Sequence, residues 1–129
     1  MIPSNFMDYR EPLPPNCPPE DAEEIQDERL LYRLVASMPP SDTDFQSQRA
    51  ARPDATFDVP ECLARGLSVD TERSGIEKTA KLPRFKRRQI CAIRVGPGAG
   101  RLKQTFQPTH HTWWPLADFD ILSHCSANP

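Results

Sequence analysis

The sequence predicts an α+β fold: a small antiparallel sheet centred on a β-hairpin over about residues 89–106, packed on one main helix and preceded by a proline-rich N-terminal arm. Three observations carry this expectation. Two alternating runs flank the loop Gly96-Pro-Gly-Ala-Gly100, one stretch carries helix start and stop signals, and the first twenty residues hold six prolines.

Residues 1–20 read as an extended arm, because each proline ring fixes φ near −65° and removes a hydrogen-bond donor. Phe6, Met7, Tyr9 and Leu13 are its apolar anchors, for a partner's groove or for the chain's own domain. Residues 21–129 then form a single small domain. Within it, Asp21 to Met38 is the main helix candidate: Asp21 is placed to cap it, Glu23 and Glu24 suit its positive end, and Pro39-Pro40 stops it. The apolar run Leu30–Val35 also fits a short buried strand, since six residues do not settle a period. Residues 41–60 are polar and punctuated by proline, a loop pinned by Phe45 and Phe57, with room for a short hidden element.

The second half carries stronger β signals. Leu67-Ser-Val69 reads as a short strand after Gly66, and residues 73–86 as a basic connection. Cys91, Ile93 and Val95 share one face of a strand over 89–95, and Leu102, Gln104 and Phe106 alternate along 101–106. Five glycine-rich residues between such runs are a hairpin signal. Residues 118–125 suggest a short closing helix, with a strand as the alternative.

Charge is segregated along the chain. Residues 73–103 hold ten basic residues and one acid, Glu77, whereas the first sixty hold five basic residues against twelve acids. The net charge of −2 conceals this asymmetry. A positive surface attracts phosphates or acidic proteins, so Arg84, Lys86, Arg87, Arg88, Arg101 and Lys103 are candidate binding residues. A protein partner is expected, with nucleic acid as the alternative through the 73–103 stretch. No apolar run approaches the roughly 20 residues that span a bilayer, and the opening residues lack a secretory pattern, which together point to the cytoplasm without a membrane partner.

Cys17, Cys62, Cys91 and Cys125 lie far apart, with no close pair of the zinc or redox kind, and are expected to stay reduced. Joining Cys91 and Cys125 with His124 and His110 or His111 would match no standard metal spacing. No metal or cofactor is expected. The glycine loop lacks the Lys-Ser/Thr and helix of a nucleotide loop, so it reads as a turn.

Thr109-His-His-Thr-Trp-Trp-Pro115 is the chemically richest strip. Two adjacent imidazoles, His110 and His111, are candidates for proton exchange, Lys103 lies upstream, and Trp113 and Trp114 supply either a stacking platform or core area. The leading expectation is a non-catalytic accessory or adaptor subunit that uses the arm, including Tyr9 and Leu13, and the basic face. The alternatives are a small metal-free enzyme acting on RNA or a nucleotide through His110, His111 and Lys103, and a nucleic-acid-binding module without catalysis. Connected cleft geometry would favour the enzyme; buried indoles and separated histidines would favour the adaptor.

Leu31-Tyr-Arg33 and Gly66-Leu-Ser-Val69 resemble the arginine and serine strands of some small ADP-ribosyltransferases. The resemblance covers fewer than ten residues and implies an arginine gripping a cofactor's phosphates. The glutamate expected late in that family has no counterpart after Glu77.

Overall fold

The computed structural model describes residues 8–127; Phe6 and Met7 lie outside the described residues. Among the described residues seven strands form one antiparallel sheet: β1 (Glu23–Glu24), β2 (Arg29–Val35), β3 (Leu67–Asp70), β4 (Gln89–Val95), β5 (Gly100–Gln104), β6 (His110–Pro115) and β7 (Cys125–Ser126). Their spatial order is β1-β5-β6-β3-β2-β4-β7. The helices are short: α1 (Gln48–Ala51), α2 (Glu61–Ala64) and α3 (Arg73–Ala80). The molecule is mostly sheet, so the expected single main helix beneath a small sheet is replaced by a larger sheet with minor helices.

The expected helix over residues 21–38 is β1 and β2. β2 is central, paired with β4 along all seven of its residues from Arg29↔Val95 to Val35↔Gln89. Leu31 and Val35 enter the main core on one face, and Leu30, Tyr32 and Leu34 pack on the other. Burial on both faces explains why this strand reads as a continuous apolar run without alternation. The acids that resembled a helix start instead sit on a two-residue edge strand, where charge discourages further strand pairing.

The flanks of the glycine loop are both strands, yet they do not pair with each other. β4 pairs with β2 and β7, while β5 pairs with β1 and β6. The loop therefore links two parts of the sheet in place of closing a hairpin. Local alternation fixes which face each run buries, whereas the choice of neighbour depends on more distant strands. Gly100 explains part of the path: its φ is +118°, and a Cβ there would lie 2.1 Å from the Trp114 carbonyl oxygen. Only glycine permits this approach of β5 to β6.

The sheet is joined unevenly. β3 pairs with β6 over four residues and β5 with β6 over five, but β2 meets β3 at one pair, Tyr32↔Asp70. Two halves, β1-β5-β6-β3 and β2-β4-β7, therefore meet along a narrow seam. The main core bridges it on one face, bringing Leu31, Val35 and Ile93 together with Leu67, Val69, Leu102 and Trp113. On the other face α3 inserts Ile76 against Tyr32 and Ala92.

Residues 8–20 lie against their own domain. Arg10 N donates to Pro115 O and Ala117 N to Asp8 O, while Tyr9 and Leu116 form an isolated bridge. Glu11 receives the Ser47 N–H and hydroxyl at the start of α1, and Arg65 donates to Pro12 O. Cys17 and Cys62 are joined by a disulfide, which overturns the expectation that all four cysteines stay reduced. Sequence distance hid this pair because the arm's return to α2 is a tertiary event.

The remaining differences are local. Residues 41–60 contain a 3₁₀ turn at Asp42–Phe45 and α1, and the basic connection contains α3 and a 3₁₀ turn at Pro83–Phe85. The closing helix over 118–125 is reduced to a 3₁₀ turn at Leu122–His124 followed by β7. Leu67–Val69 forms a strand as expected. Phe106 leaves β5 altogether, at φ 65° and 69% exposed, so the alternation over 101–106 ends at Gln104.

Trp113 is fully buried in the main core, and its indole N–H donates to Ala99 O at 3.0 Å. Trp113→Ala should lower unfolding stability by about 3–5 kcal/mol. Cys17→Ser should cost about 2–5 kcal/mol by releasing the arm's closed loop. Urea denaturation of both variants checks these values, and a Cys17→Ser midpoint equal to wild type would show the disulfide to be dispensable for the arm's docking.

Candidate functional site

Three groups of residues compete for the role of functional site. The first is the His–Lys–Trp strip. Strand geometry separates its members because neighbouring side chains on β6 point to opposite faces. His111 lies opposite Val69 and Gln104, on the face that carries Trp113 and Leu102, whereas His110 lies opposite Asp70. The histidines are therefore not adjacent partners in proton exchange.

Each is occupied structurally. His110 Nδ1 lies 3.0 Å from both the carbonyl and the hydroxyl of Thr105, and that hydroxyl also bonds Thr112 Oγ1 at 2.9 Å. His111 Nδ1 lies 3.1 Å from Thr109 O. Burial holds the His110 imidazole below its ordinary value, opposed by its contact with Thr105 and by the Asp70 charge. Lys103 is ion-paired with Asp21, whose carboxyl that contact lowers, and Arg101 donates to Ala22 O. Both cations fasten β1 to β5. The structure thus does not assemble His110, His111 and Lys103 into one cleft.

Trp113 and Trp114 are both buried, so neither forms an exposed stacking platform. The Trp114 indole donates to Cys62 O at 3.0 Å and lies beneath the arm, beside a depression of about 190 Å³ that Tyr9 and Leu13 also line. A second depression, of about 270 Å³, is bordered by Tyr9, Glu24 and Arg101. Neither includes His110, His111 or Lys103. Tyr9 and Leu13 serve the arm's own docking on the domain.

The second group is the basic strip from α3 into the turn before β4. Lys78, Lys81, Arg84, Lys86, Arg87 and Arg88 are all exposed. Among the described residues none of them enters an ion pair, in contrast to Arg10 with Asp42, Arg49 and Arg65 with Glu61, and Lys103 with Asp21. Arg84 lies over the Phe85 ring at 4.9 Å. α3 can approach the sheet here because residue 75 is glycine: a Cβ would fall 2.4 Å from Thr109 Oγ1 and 2.5 Å from the Asp70 carboxylate. Asp70 is buried and receives the Glu72 N–H at 3.0 Å, fixing the turn from β3 into α3.

The third group lies at the seam and was not among the candidate binding residues. Arg33 interrupts the apolar run of β2, which is the signal that sequence offers for it. Its guanidinium donates to Asp44 O at 2.8 Å, to Ser68 O at 2.7 Å and to Gln46 O at 3.2 Å. Burial lowers its pKa to about 10, with nearby Arg88 acting in the same direction and Asp44 and Glu11 opposing. It remains charged at neutral pH, yet among the described residues it makes no ion pair with a carboxylate. The residues of the ADP-ribosyltransferase resemblance are thus brought together at the backbone of adjacent strands.

The His110 shift has a defined sign. The unfolded imidazole takes up a proton as pH falls through about 6.5, whereas the buried ring resists it, so the unfolded state binds more protons and stability falls. His110→Gln should therefore reduce the loss of melting temperature between pH 7 and pH 5.5. Thermal melts of both proteins across that interval provide the check, and parallel slopes would exclude this origin.

Searches against protein-family models, curated proteins and solved structures find no match.

Proposed function

We propose that this chain is a non-catalytic accessory or adaptor subunit that binds an acidic protein surface through its basic strip. The observation that carries the reading is the contrast in cation pairing. Lys103, Arg49, Arg65 and Arg10 have carboxylate partners, whereas the exposed cations from Lys78 to Arg88 have none among the described residues. Unpaired like charges repel one another at low salt, and an acidic partner relieves that repulsion while steering association. The separated histidines and buried indoles accord with a binding role.

In this reading the arm contributes indirectly. Its described part is engaged with the domain, so Tyr9 and Leu13 support the fold over Trp114. No helix is long and apolar enough to cross a membrane among the described residues. The Cys17–Cys62 bond favours an oxidising compartment over the cytoplasm expected from the opening residues, because cytosolic reductants keep most thiols reduced.

A second reading is favoured by Arg33. A half-buried, charged guanidinium without a carboxylate, beside the exposed Arg88, suits a bound phosphate at the seam, and the resemblance of its surrounding residues points to nucleotide chemistry. In this alternative the enzyme site lies at Arg33 and Ser68 in place of His110, His111 and Lys103.

The two readings separate under mutation. Charge reversal at Arg84, Lys86, Arg87 and Arg88 should weaken binding of an acidic protein probe such as a polyglutamate-bearing domain by at least tenfold. The melting temperature should stay within a few degrees, since all four are exposed. Wild-type affinity should itself fall with added salt. Calorimetric binding of a nucleoside diphosphate that is lost in Arg33→Gln but kept in the reversal variant would favour the second reading. Tight, salt-sensitive binding of RNA in place of the acidic probe would favour a nucleic-acid module.

A further inference from the structure

We propose that Cys91 and Cys125 form a second disulfide, an oxidative modification site that fastens the C-terminal strand β7 to β4. The strand register carries the inference. β7 pairs with β4 through Ile93↔Cys125 and Ala92↔Ser126, so Cys91 lies one diagonal step from Cys125 on the same face. Diagonal neighbours on one face of an antiparallel pair are about 7–8 Å apart, so the bond closes as the two-residue edge strand β7 shifts toward β4.

Both sulfurs point into the same environment. Cys91 is fully buried in the main core, and Cys125 packs against that core while remaining half-buried. The Cys125 thiol lies 3.2 Å from Ile121 O, which holds it above β4. Its proximity draws the Cys91 thiol below its ordinary value, while Cys91 and burial push the Cys125 thiol well above its own. The two cysteines thus have different roles. Cys125 is the accessible thiol, and Cys91 is its buried partner that completes the exchange.

The bond needs an oxidant, and a small-molecule or protein disulfide of the thiol-exchange class supplies it. Cys125, the thiol the oxidant can reach, gives up its proton and attacks one sulfur of that disulfide, breaking its S–S bond, forming a mixed disulfide and releasing one thiolate. The Cys91 thiolate then attacks the Cys125 sulfur, forming the Cys91–Cys125 bond and releasing the second thiolate. Two protein thiols are oxidised, one oxidant disulfide is reduced to two thiols, and the two protons pass to the released thiolates. The presence of the Cys17–Cys62 bond in the same chain supports an environment where such exchange takes place.

The site is independent of the adaptor reading, because it lies on β4 and β7 and uses none of the basic strip. The test uses the full chain with its Cys17–Cys62 bond intact. Oxidised glutathione is applied at neutral pH, the protein is unfolded in an alkylating agent, and free thiols are counted by mass spectrometry. The count should fall from two to zero. Tryptic digestion without reduction should yield Gln89–Arg94 joined to the peptide that begins at Gln104 and contains Cys125.

Cys125→Ser should abolish that cross-linked peptide and leave the Cys17–Cys62 linkage unchanged. Cys91→Ala should leave Cys125 as a stable glutathione adduct, which supports the assigned order of attack. Two alkylatable thiols after oxidation, a persistent glutathione adduct on Cys125 in the wild-type chain, or Cys125 linked between two copies would each overturn the proposal.

Discussion

The narrow seam between β2 and β3 is the constraint on which the rest of the structure depends. A seven-stranded sheet ordinarily gains rigidity from continuous ladders, yet here one residue pair joins its halves. Side chains must supply what the backbone does not. On one face the main core spans both halves through Leu31, Val69, Ile93 and Trp113; on the other, α3 presses Ile76 onto Tyr32 and Ala92. Arg33 completes the join at the end where the strands part. Its three donated hydrogen bonds tie β2 to β3 and to the chain following β2, and compensate its loss of water.

Covering the second face of β6 requires a different device. Trp114 projects away from the main core, and a bare indole there would leave a large apolar surface in water. α2 and the proline-rich arm cover it, with Glu11, Arg65 and the Cys17–Cys62 bond holding the arm in place. Proline suits this task because a segment with fixed φ loses little conformational entropy on docking. The arm acts as a missing layer of the domain. Around it, Glu61 receives both Arg49 and Arg65, which lowers its carboxyl to about 2. Charge is thus locally paired on this side of the molecule and left unpaired along the strip from Lys78 to Arg88.

Parts of both fold and candidate site were legible in the chain. The strands at 67–69 and 89–95 were readable because β-branched and apolar residues alternate in short runs, and the basic strip because six cations fall within residues 78–88 without an intervening acid. The indoles were identifiable as core area in a protein with few large apolar residues. The helix expected over residues 21–38 failed for a physical reason: a strand buried on both faces loses the two-residue period, and its acidic approach imitates a helix start. The hairpin failed because alternation and a glycine turn specify two strands and a reversal, but not which neighbours they take. Arg33 was visible as a charge inside an apolar run, though nothing local indicated that its partners would be backbone carbonyls from two separate segments.

The sequence by itself determined which faces are apolar, where the chain turns and how its charges are segregated, since these depend on side-chain chemistry over a few residues. Tertiary structure alone decided that β4 would pair with β2, that the arm would return to Cys62, that His110 and His111 would face opposite sides, and that Cys91 would come beside Cys125. Each of those outcomes joins residues distant in sequence, or fixes the two faces of a strand by what covers them. Such contacts form only when burial and hydrogen bonding across the whole sheet outweigh the entropy of closing long loops.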